Sequence, residues 1–377
     1  MSGLVSNRRT FLLQATATTI TALADIKTSC GATRQGGLRK TSMKTYRIPH
    51  TDLVVSRIAY GCASLTDWDN NPLSAQDTAR AARVVHTAHD NGITFFDHAD
   101  LYAFGKSEEV FGQVLKESPG LRQKIVIQSK CGQVFPPGWQ SGKPIRVDLT
   151  REHIIRAAEG SLKRLGTDYL DILLLHAPST LVQPEEVAQA FDDLYGGGKV
   201  RYFGVSNYNA IQIQLLKKTM RQPIVANQIH LGLSFADALT DGLEFPLELT
   251  LGTGGGRYAS VSGPGTLDYC RLQDIQIQAW SPVRGHVVRP EADAPSDIKV
   301  VAQRLAEVVQ AKQNTPAAVV LAWLLHHPAG IVPITGATSP EHIIENCAAD
   351  RVSLSNDEWY DLLAAAADVK ARTLLRS

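Results

Sequence analysis

The stretch ITFFDHADLYAFGKSEE, residues 93–109, begins as a buried strand and then turns sharply polar. Asp97 ends the apolar run, Tyr102 follows five residues later, and a helical pattern begins just beyond. An apolar strand that leads through a polar loop into a helix is the repeating unit of parallel α/β folds. The stretch therefore predicts one such unit, with polar side chains where the strand ends.

Seven further apolar runs recur along the chain and are mostly separated by helical patterns. They are RIAYGCA (57–63), IVIQSK (125–130), DILLLHA (171–177), RYFGVSN (201–207), IVANQI (224–229), IQIQAW (275–280) and GIVPIT (330–335). Nearly continuous apolar strands are typical of a parallel sheet whose outer face is covered. Eight strand and helix units favour an α/β fold of the (β/α)8 TIM barrel type over a doubly wound sheet.

The segments between these runs carry recognisable helix and turn signals. Apolar residues at three- and four-residue steps predict helices over 74–91 and 151–165, and Thr150 is expected to cap the second one. The sequence KTYRIPHTDLVVS (44–56) predicts an N-terminal β-hairpin. The glycine-rich segment 231–265 predicts a long loop after the sixth strand, on the active face of a barrel, where it is a candidate lid.

Composition excludes several classes of function. The 377 residues carry a formal net charge of +1 and no clustered basic run, so we expect no nucleic-acid binding. The five cysteines lie far apart without CxxC spacing, which predicts free thiols rather than a disulfide framework or a metal site.

The N-terminus predicts export. Arg8 and Arg9 precede an uncharged run that ends in an A-x-A pattern before Asp25, as in a twin-arginine signal. The run is too short to span a membrane. Residues 1–43 are thus interpreted as signal and linker, residues 44–377 as the barrel, and the location as periplasmic. Lipidation at Cys30, a disordered tail and a cytoplasmic location stay open as alternatives.

Four polar side chains follow three neighbouring strands. Asp97 and Tyr102 follow the second strand, Lys130 ends the third, and His176 ends the fourth, so they are expected to converge at one rim of the barrel. Taken singly, each is an ordinary rim or structural residue. Together they suit general acid catalysis: a lysine ammonium favours the phenolate of a neighbouring tyrosine, and a carboxylate holds the buried lysine.

This chemistry suits donation of a proton to a carbonyl oxygen while hydride arrives at the carbon. His176 would hydrogen-bond the same substrate oxygen beside the phenol. The expected function is reduction of an aldehyde or ketone, or oxidation of the alcohol, with Tyr102 as proton donor. A nucleotide-bound sensor or binding subunit with little turnover is the alternative.

The chain from about Tyr46 onward resembles the aldo-keto reductase superfamily. The motifs FFDHADLY, IVIQSKCG, DYLDILLLHAPS, GKVRYFGVSNY, ANQIHLG and IQAWSPV occur in the order and spacing of that family. The elements DHAD and SKCG are especially similar to a bacterial oxidoreductase subgroup. The resemblance implies a catalytic tetrad, carried here by Asp97, Tyr102, Lys130 and His176. His98 stands where many members have threonine.

The resemblance also implies a nicotinamide cofactor lying across the barrel mouth. The positions matched to its carboxamide, its ring and its pyrophosphate are Ser206, Asn207, Gln228, Trp280, Ser281, Pro282, Val283 and Gly285. The positions matched to its adenosine phosphate are Gly336, Thr338, Ser339, His342, Glu345 and Asn346. NADP is the expected cofactor, with NAD as the alternative, because hydroxyls replace the usual basic residue near Thr338 and Ser339.

The loop SPVRGHVVRP lacks the Gly-Gly-Gly-Arg run of the subgroup, and Arg284 or Arg289 is the candidate replacement for its guanidinium. A small carbonyl compound is the expected partner. Trp68 is the main candidate for the wall of the substrate pocket, beside Tyr102 and His176, and Phe104 and Trp139 are weaker candidates.

Overall fold

Eight parallel strands close into a barrel in the computed structural model, which describes residues 43–136, 145–240, 265–283 and 287–367. The barrel strands are Ala59–Gly61, Phe95–Asp97, Val126–Cys131, Leu170–Leu175, Val200–Ser206, Ile224–His230, Gln276–Trp280 and Val332–Thr335. They follow one another around the barrel in chain order, and the eighth pairs with the first through Ile334 and Ala59. The predicted (β/α)8 barrel is confirmed.

Helices cover the outside of the barrel. The α-helices described are Ala75–Asp90, Lys106–Glu117, Arg151–Leu165, Pro184–Gly196, Ala210–Lys217, Asp237–Thr240, Thr266–Leu272, Ser296–Lys312, Pro316–His326, Pro340–Cys347 and Asn356–Ala367. Local capping sets where several begin. Ser74 forms a capping box with Asp77, and the Thr150 hydroxyl accepts the backbone N–H of His153, as predicted.

The barrel interior is apolar at its lower end and polar at its upper end. The N-terminal hairpin, Thr45–Arg47 with Val54–Ser56, packs Leu53 and Val55 against interior strand residues such as Phe95. Two residues further along the same strand, the interior position is Asp97. The hairpin is therefore confirmed, and the polar layer lies at the carboxyl ends of the strands, where barrel enzymes place their active sites.

A second small hairpin was not predicted from sequence. Gln133–Val134 pairs antiparallel with Arg146–Val147 in the loop after the third barrel strand. Cys62, Cys131, Cys270 and Cys347 are buried free thiols. Among the described residues, no helix is long and apolar enough to cross a membrane, and no group of His, Cys, Asp or Glu side chains could hold a metal ion.

Several predicted features lie outside the described residues. They are the signal and linker up to residue 42, residues 241–264 of the long loop, Trp139, Arg284 and Gly285. The described part of the long loop contains a bridge between Gly232 and Phe235 and the short helix Asp237–Thr240. The export signal and the lid stay predictions.

Candidate active site

Lys130 lies at the centre of the polar layer and is completely buried. Its Nζ donates to Asp97 Oδ2 at 2.7 Å, to Tyr102 Oη at 2.9 Å and to the backbone oxygen of His98 at 2.9 Å. An ammonium group has three donors, so all of them are used. The second and third barrel strands thus bring Asp97, Tyr102 and Lys130 together as one hydrogen-bonded chain.

His176 completes the group from the end of the fourth strand. Its ring stands edge-on to that of Tyr102, with 5.9 Å between the ring centroids. Burial and the nearby charge of Lys130 lower the pKa of His176 well below its usual 6.5. The imidazole is therefore neutral at neutral pH, and a neutral imidazole can both donate and accept one hydrogen bond.

The pKa of Tyr102 corrects one expectation. The sequence led us to expect that Lys130 would bring this tyrosine into the working range. Burial instead raises the pKa of Tyr102 above its usual value of 10.0, because the loss of solvent outweighs the lowering by the Lys130 charge. Tyr102 is therefore a protonated phenol at neutral pH.

Two glutamines donate to Asp97, and a third glutamine joins them. Gln128 Nε2 donates to Asp97 Oδ1 at 2.6 Å, and Gln228 Nε2 donates to the same oxygen at 2.9 Å. Both also donate to Gln278 Oε1, at 2.8 and 3.0 Å. Gln128 and Gln278 were not among the site residues predicted from the sequence. The signal was present in IVIQSK and IQIQAW, where every second residue of a strand points into the barrel.

A cavity of about 1010 Å³ opens above this layer. The predicted residues that line it are Trp68, Asp97, Tyr102, His176, Ser206, Asn207, Gln228, Trp280, Ser281, Pro282, Val283, Gly336, His342, Glu345 and Asn346. Lys130 lies beneath it. Thr338 and Ser339 are not part of the lining, and the Ser339 hydroxyl instead accepts the backbone N–H of His342 as the N-cap of the helix Pro340–Cys347.

One family model matches residues 57–367 of this chain, and its description is the aldo/keto reductase family. The chain belongs to this family. The oxidoreductase YcsN of Bacillus subtilis, described as uncharacterized, is 34% identical over 317 residues, which are 83% of this chain and 95% of YcsN. A 6-dehydroglucose reductase of Agrobacterium fabrum shows the same identity and the same coverage. The resemblance read from the sequence is confirmed, and the protein is an enzyme.

The fold of this aldo-keto reductase is similar to that of solved relatives. The structure of an aldo-keto reductase from Klebsiella pneumoniae in complex with NADPH matches with a TM-score of 0.60 and 28% identity. The match covers 82% of this chain and 90% of the other. The match therefore includes most of the barrel of both proteins.

One end of the reductase cavity is built around Trp280. Its Nε1 donates to Asn207 Oδ1 at 2.9 Å, and its ring stacks on that of His230 with 3.9 Å between centroids. Asn207 and Ser281 both have positive φ, at 63° and 52°, which non-glycine residues adopt rarely outside constrained sites. The indole is thus held by a hydrogen bond and a ring contact from the protein itself.

The other end of the cavity carries the basic groups. Arg289 lines it, and its Nη2 lies 3.4 Å from His342 Nε2. Asn346 donates from Nδ2 to the Thr335 hydroxyl, which joins the helix Pro340–Cys347 to the eighth strand. Of the two arginines considered from sequence, Arg289 is thus at the site, while Arg284 lies outside the described residues.

Aromatic side chains form the wall beside Tyr102. The centroid of the Trp68 ring lies 6.3 Å from that of Tyr102 and 6.0 Å from that of Phe104. Phe104 in turn contacts Phe135. Trp68 lines the cavity, whereas Phe104 supports Trp68 and lies outside the lining. Ala103 has φ of 47° and Phe104 of 60°, so a strained turn carries this wall.

The residues of the cavity fit a nicotinamide dinucleotide. The cavity is at the upper end of the range usual for small-molecule sites. Both N–H groups of Gln228 are used by Asp97 and Gln278, so Gln228 can offer a ligand only its amide oxygen, which suits the NH2 of a carboxamide. Trp280 offers a flat ring for stacking, and Arg289 offers charge for a phosphate.

Proposed function

We propose that this enzyme reduces small aldehydes or ketones with NADPH, and that Tyr102 donates the proton. The main support is the chain of hydrogen bonds from Asp97 through Lys130 to Tyr102 at the floor of the cavity. Bound NADPH supplies the hydride. The protein's own task is then to place the carbonyl oxygen, protonate it and exclude water.

The protonation of Tyr102 suits this role. A group that delivers a proton must carry it at the working pH, and the raised pKa of Tyr102 ensures this. As the proton leaves, negative charge develops on the phenol oxygen, 2.9 Å from the Lys130 ammonium. A fixed ammonium in a buried site stabilises such charge strongly. His176, as a neutral imidazole, can donate a second hydrogen bond to the carbonyl oxygen.

The preference for NADPH over NADH rests on Arg289 and His342. A guanidinium binds a phosphate through two parallel hydrogen bonds, and no acidic side chain is paired with Arg289 among the described residues. Glu345 also lines this end, but as a partly buried carboxylate it would repel a phosphate unless a cation intervenes. The 2′-phosphate, which NADPH carries and NADH lacks, would therefore be held on the Arg289 side.

Turnover with a carbonyl panel tests this function. Purified protein is expected to consume NADPH with at least one short aldehyde, ketone or keto sugar, and to bind NADPH more tightly than NADH. The panel should contain 6-dehydroglucose, because one similar protein is named as its reductase. Tight nucleotide binding with no hydride transfer across the panel would contradict the proposal and favour a nucleotide-bound sensor.

The pH dependence of reduction gives a further prediction. A donor with a raised pKa stays protonated until the pH passes that pKa, so kcat/KM should be level from about pH 7 to about pH 10 and fall only above it. The lowered pKa of His176 removes any inflection near its usual 6.5. An ionisation between about pH 7 and pH 9 that is absent from Tyr102→Phe would contradict the assignment.

A further inference from the structure

The negative charge of Asp97 sets the orientation of three glutamines, Gln128, Gln228 and Gln278. An ionised carboxylate has only acceptors, so Gln128 and Gln228 must both point Nε2 at Asp97 Oδ1. The second N–H of each then reaches Gln278 Oε1. Each glutamine therefore has only one orientation that satisfies the carboxylate and its neighbour together.

Gln278 is the centre of this amide cluster, defined as Gln128, Gln228 and Gln278. Because its oxygen accepts from the other two, its Nε2 must face away from them, and it donates to Gln128 Oε1 at 2.9 Å and to Gln276 Oε1 at 3.1 Å. Gln128 and Gln278 are thus bonded reciprocally. All the hydrogen-bonding capacity of the Gln278 amide is used.

The cluster connects opposite walls of the barrel. Gln128 is in register with Asp97 on the neighbouring strand, and Gln228 is in register with Gln278 on the other side. Gln128 and Gln278 are completely buried, and Gln228 is 2% exposed. Water therefore cannot easily replace a lost partner, and hydrogen bonds in so dry a place are strong and costly to break.

We propose that Gln278 is a positioning residue for the reaction, acting on Asp97 through Gln128 and Gln228. Its described hydrogen bonds include none to Tyr102 or Lys130, yet it fixes the two amides that hold one carboxylate oxygen while Lys130 holds the other. A carboxylate fixed at both oxygens fixes the ammonium, and the ammonium fixes the phenol. This inference rests on the proposed function, because it concerns the same proton donor.

The variant Gln278→Met keeps the size of the side chain and removes its hydrogen bonds. We expect kcat to fall about 10- to 100-fold, since small displacements of catalytic groups have effects of this size. KM for the carbonyl should stay within about two-fold, because Gln278 does not line the cavity. kcat is calculated per NADPH-binding site, so that a loss of folded protein does not count as a loss of kcat.

A matched control is Asn227, which directly precedes Gln228 on the sixth barrel strand. Asn227 is also a fully buried amide, but it donates to the backbone oxygen of Tyr208, outside the barrel interior. Asn227→Leu should lower the thermal midpoint of unfolding yet leave kcat within about two-fold. Equal losses of kcat in Asn227→Leu and Gln278→Met would overturn the proposal.

A double-mutant cycle with Asp97→Asn shows whether Gln278 acts through Asp97. The neutral amide no longer sets the orientation of the cluster, so adding Gln278→Met should change kcat by less than about two-fold in that background. The same fold loss in both backgrounds would mean independent action and would overturn the proposal. If Gln278→Met does not fold, the cycle is run with Gln128→Met, and an unchanged kcat there overturns it equally.

Failure of the positioning role of Gln278 can be distinguished from failure of the proposed function. If Tyr102→Phe retains wild-type turnover, the function itself is wrong. If Tyr102→Phe is inactive while Gln278→Met has the wild-type kcat, only the positioning role fails.

Discussion

Replacing Tyr102 with phenylalanine is expected to lower kcat for carbonyl reduction by about 10²- to 10⁴-fold, the usual contribution of a positioned general acid. The ring keeps its contacts with Trp68 and His176, and Lys130 keeps its bonds to Asp97 and the His98 carbonyl. Kd for NADPH should therefore stay within about two-fold. Steady-state kinetics and a nucleotide fluorescence titration measure the two quantities.

Tyr208→Phe is the matched control for this substitution. Tyr208 is a buried tyrosine whose hydroxyl donates to the backbone oxygen of Ala177, and neither residue lines the cavity. Its loss should cost about 1 kcal/mol of the free energy of unfolding, the typical value of one hydrogen bond, with kcat unchanged. Turnover of Tyr102→Phe within tenfold of wild type would contradict the role of Tyr102.

Replacing Lys130 with methionine is expected to remove both activity and stability. The side chains of Lys130 and Asp97 are 0% and 3% exposed, so the substitution leaves a buried carboxylate without its cation. Breaking such a pair typically lowers the free energy of unfolding by about 3–5 kcal/mol. kcat should also fall by at least about 10²-fold, since nothing then stabilises the phenolate. Denaturant unfolding and steady-state kinetics measure these effects.

Two variants separate charge burial from general damage. Adding Asp97→Asn to Lys130→Met removes the unpaired charge and should restore much of the stability without restoring kcat. Lys199 forms an exposed pair with Glu159, and Lys199→Met should cost no more than about 1 kcal/mol. If Lys130→Met were as stable as Lys199→Met, the ion pair would not hold the site together as described.

The barrel and its rim could be predicted because their signals are local. Each strand is a short apolar run, and the polar residue that ends it belongs to the same few positions, as in FFDHADLY. Chain order then places neighbouring strand ends side by side in a parallel barrel. Asp97, Lys130 and His176 could therefore be assigned to one rim without knowledge of any distance.

Other features depended on burial and on contacts across the barrel, which sequence spacing does not encode. The predicted direction of the Tyr102 pKa shift was wrong, because the shift depends mainly on how deeply this side chain is buried. The contact between Gln128 and Gln278 joins residues 150 positions apart. The Ser339 hydroxyl caps a helix, which the sequence did not predict, and its assignment to the cofactor stays a prediction. A polar side chain can serve either purpose, and only the neighbouring atoms decide.

The most direct test of hydride transfer follows deuterium from the reduced nicotinamide into the product. Protein is incubated with a carbonyl substrate and NADPH that carries deuterium at both positions of the transferring carbon, and the alcohol is analysed by mass spectrometry. We predict one deuterium at the carbinol carbon with the wild-type chain and almost none in the same time with Tyr102→Phe. An alcohol formed without deuterium, or no alcohol despite bound NADPH, would contradict the account.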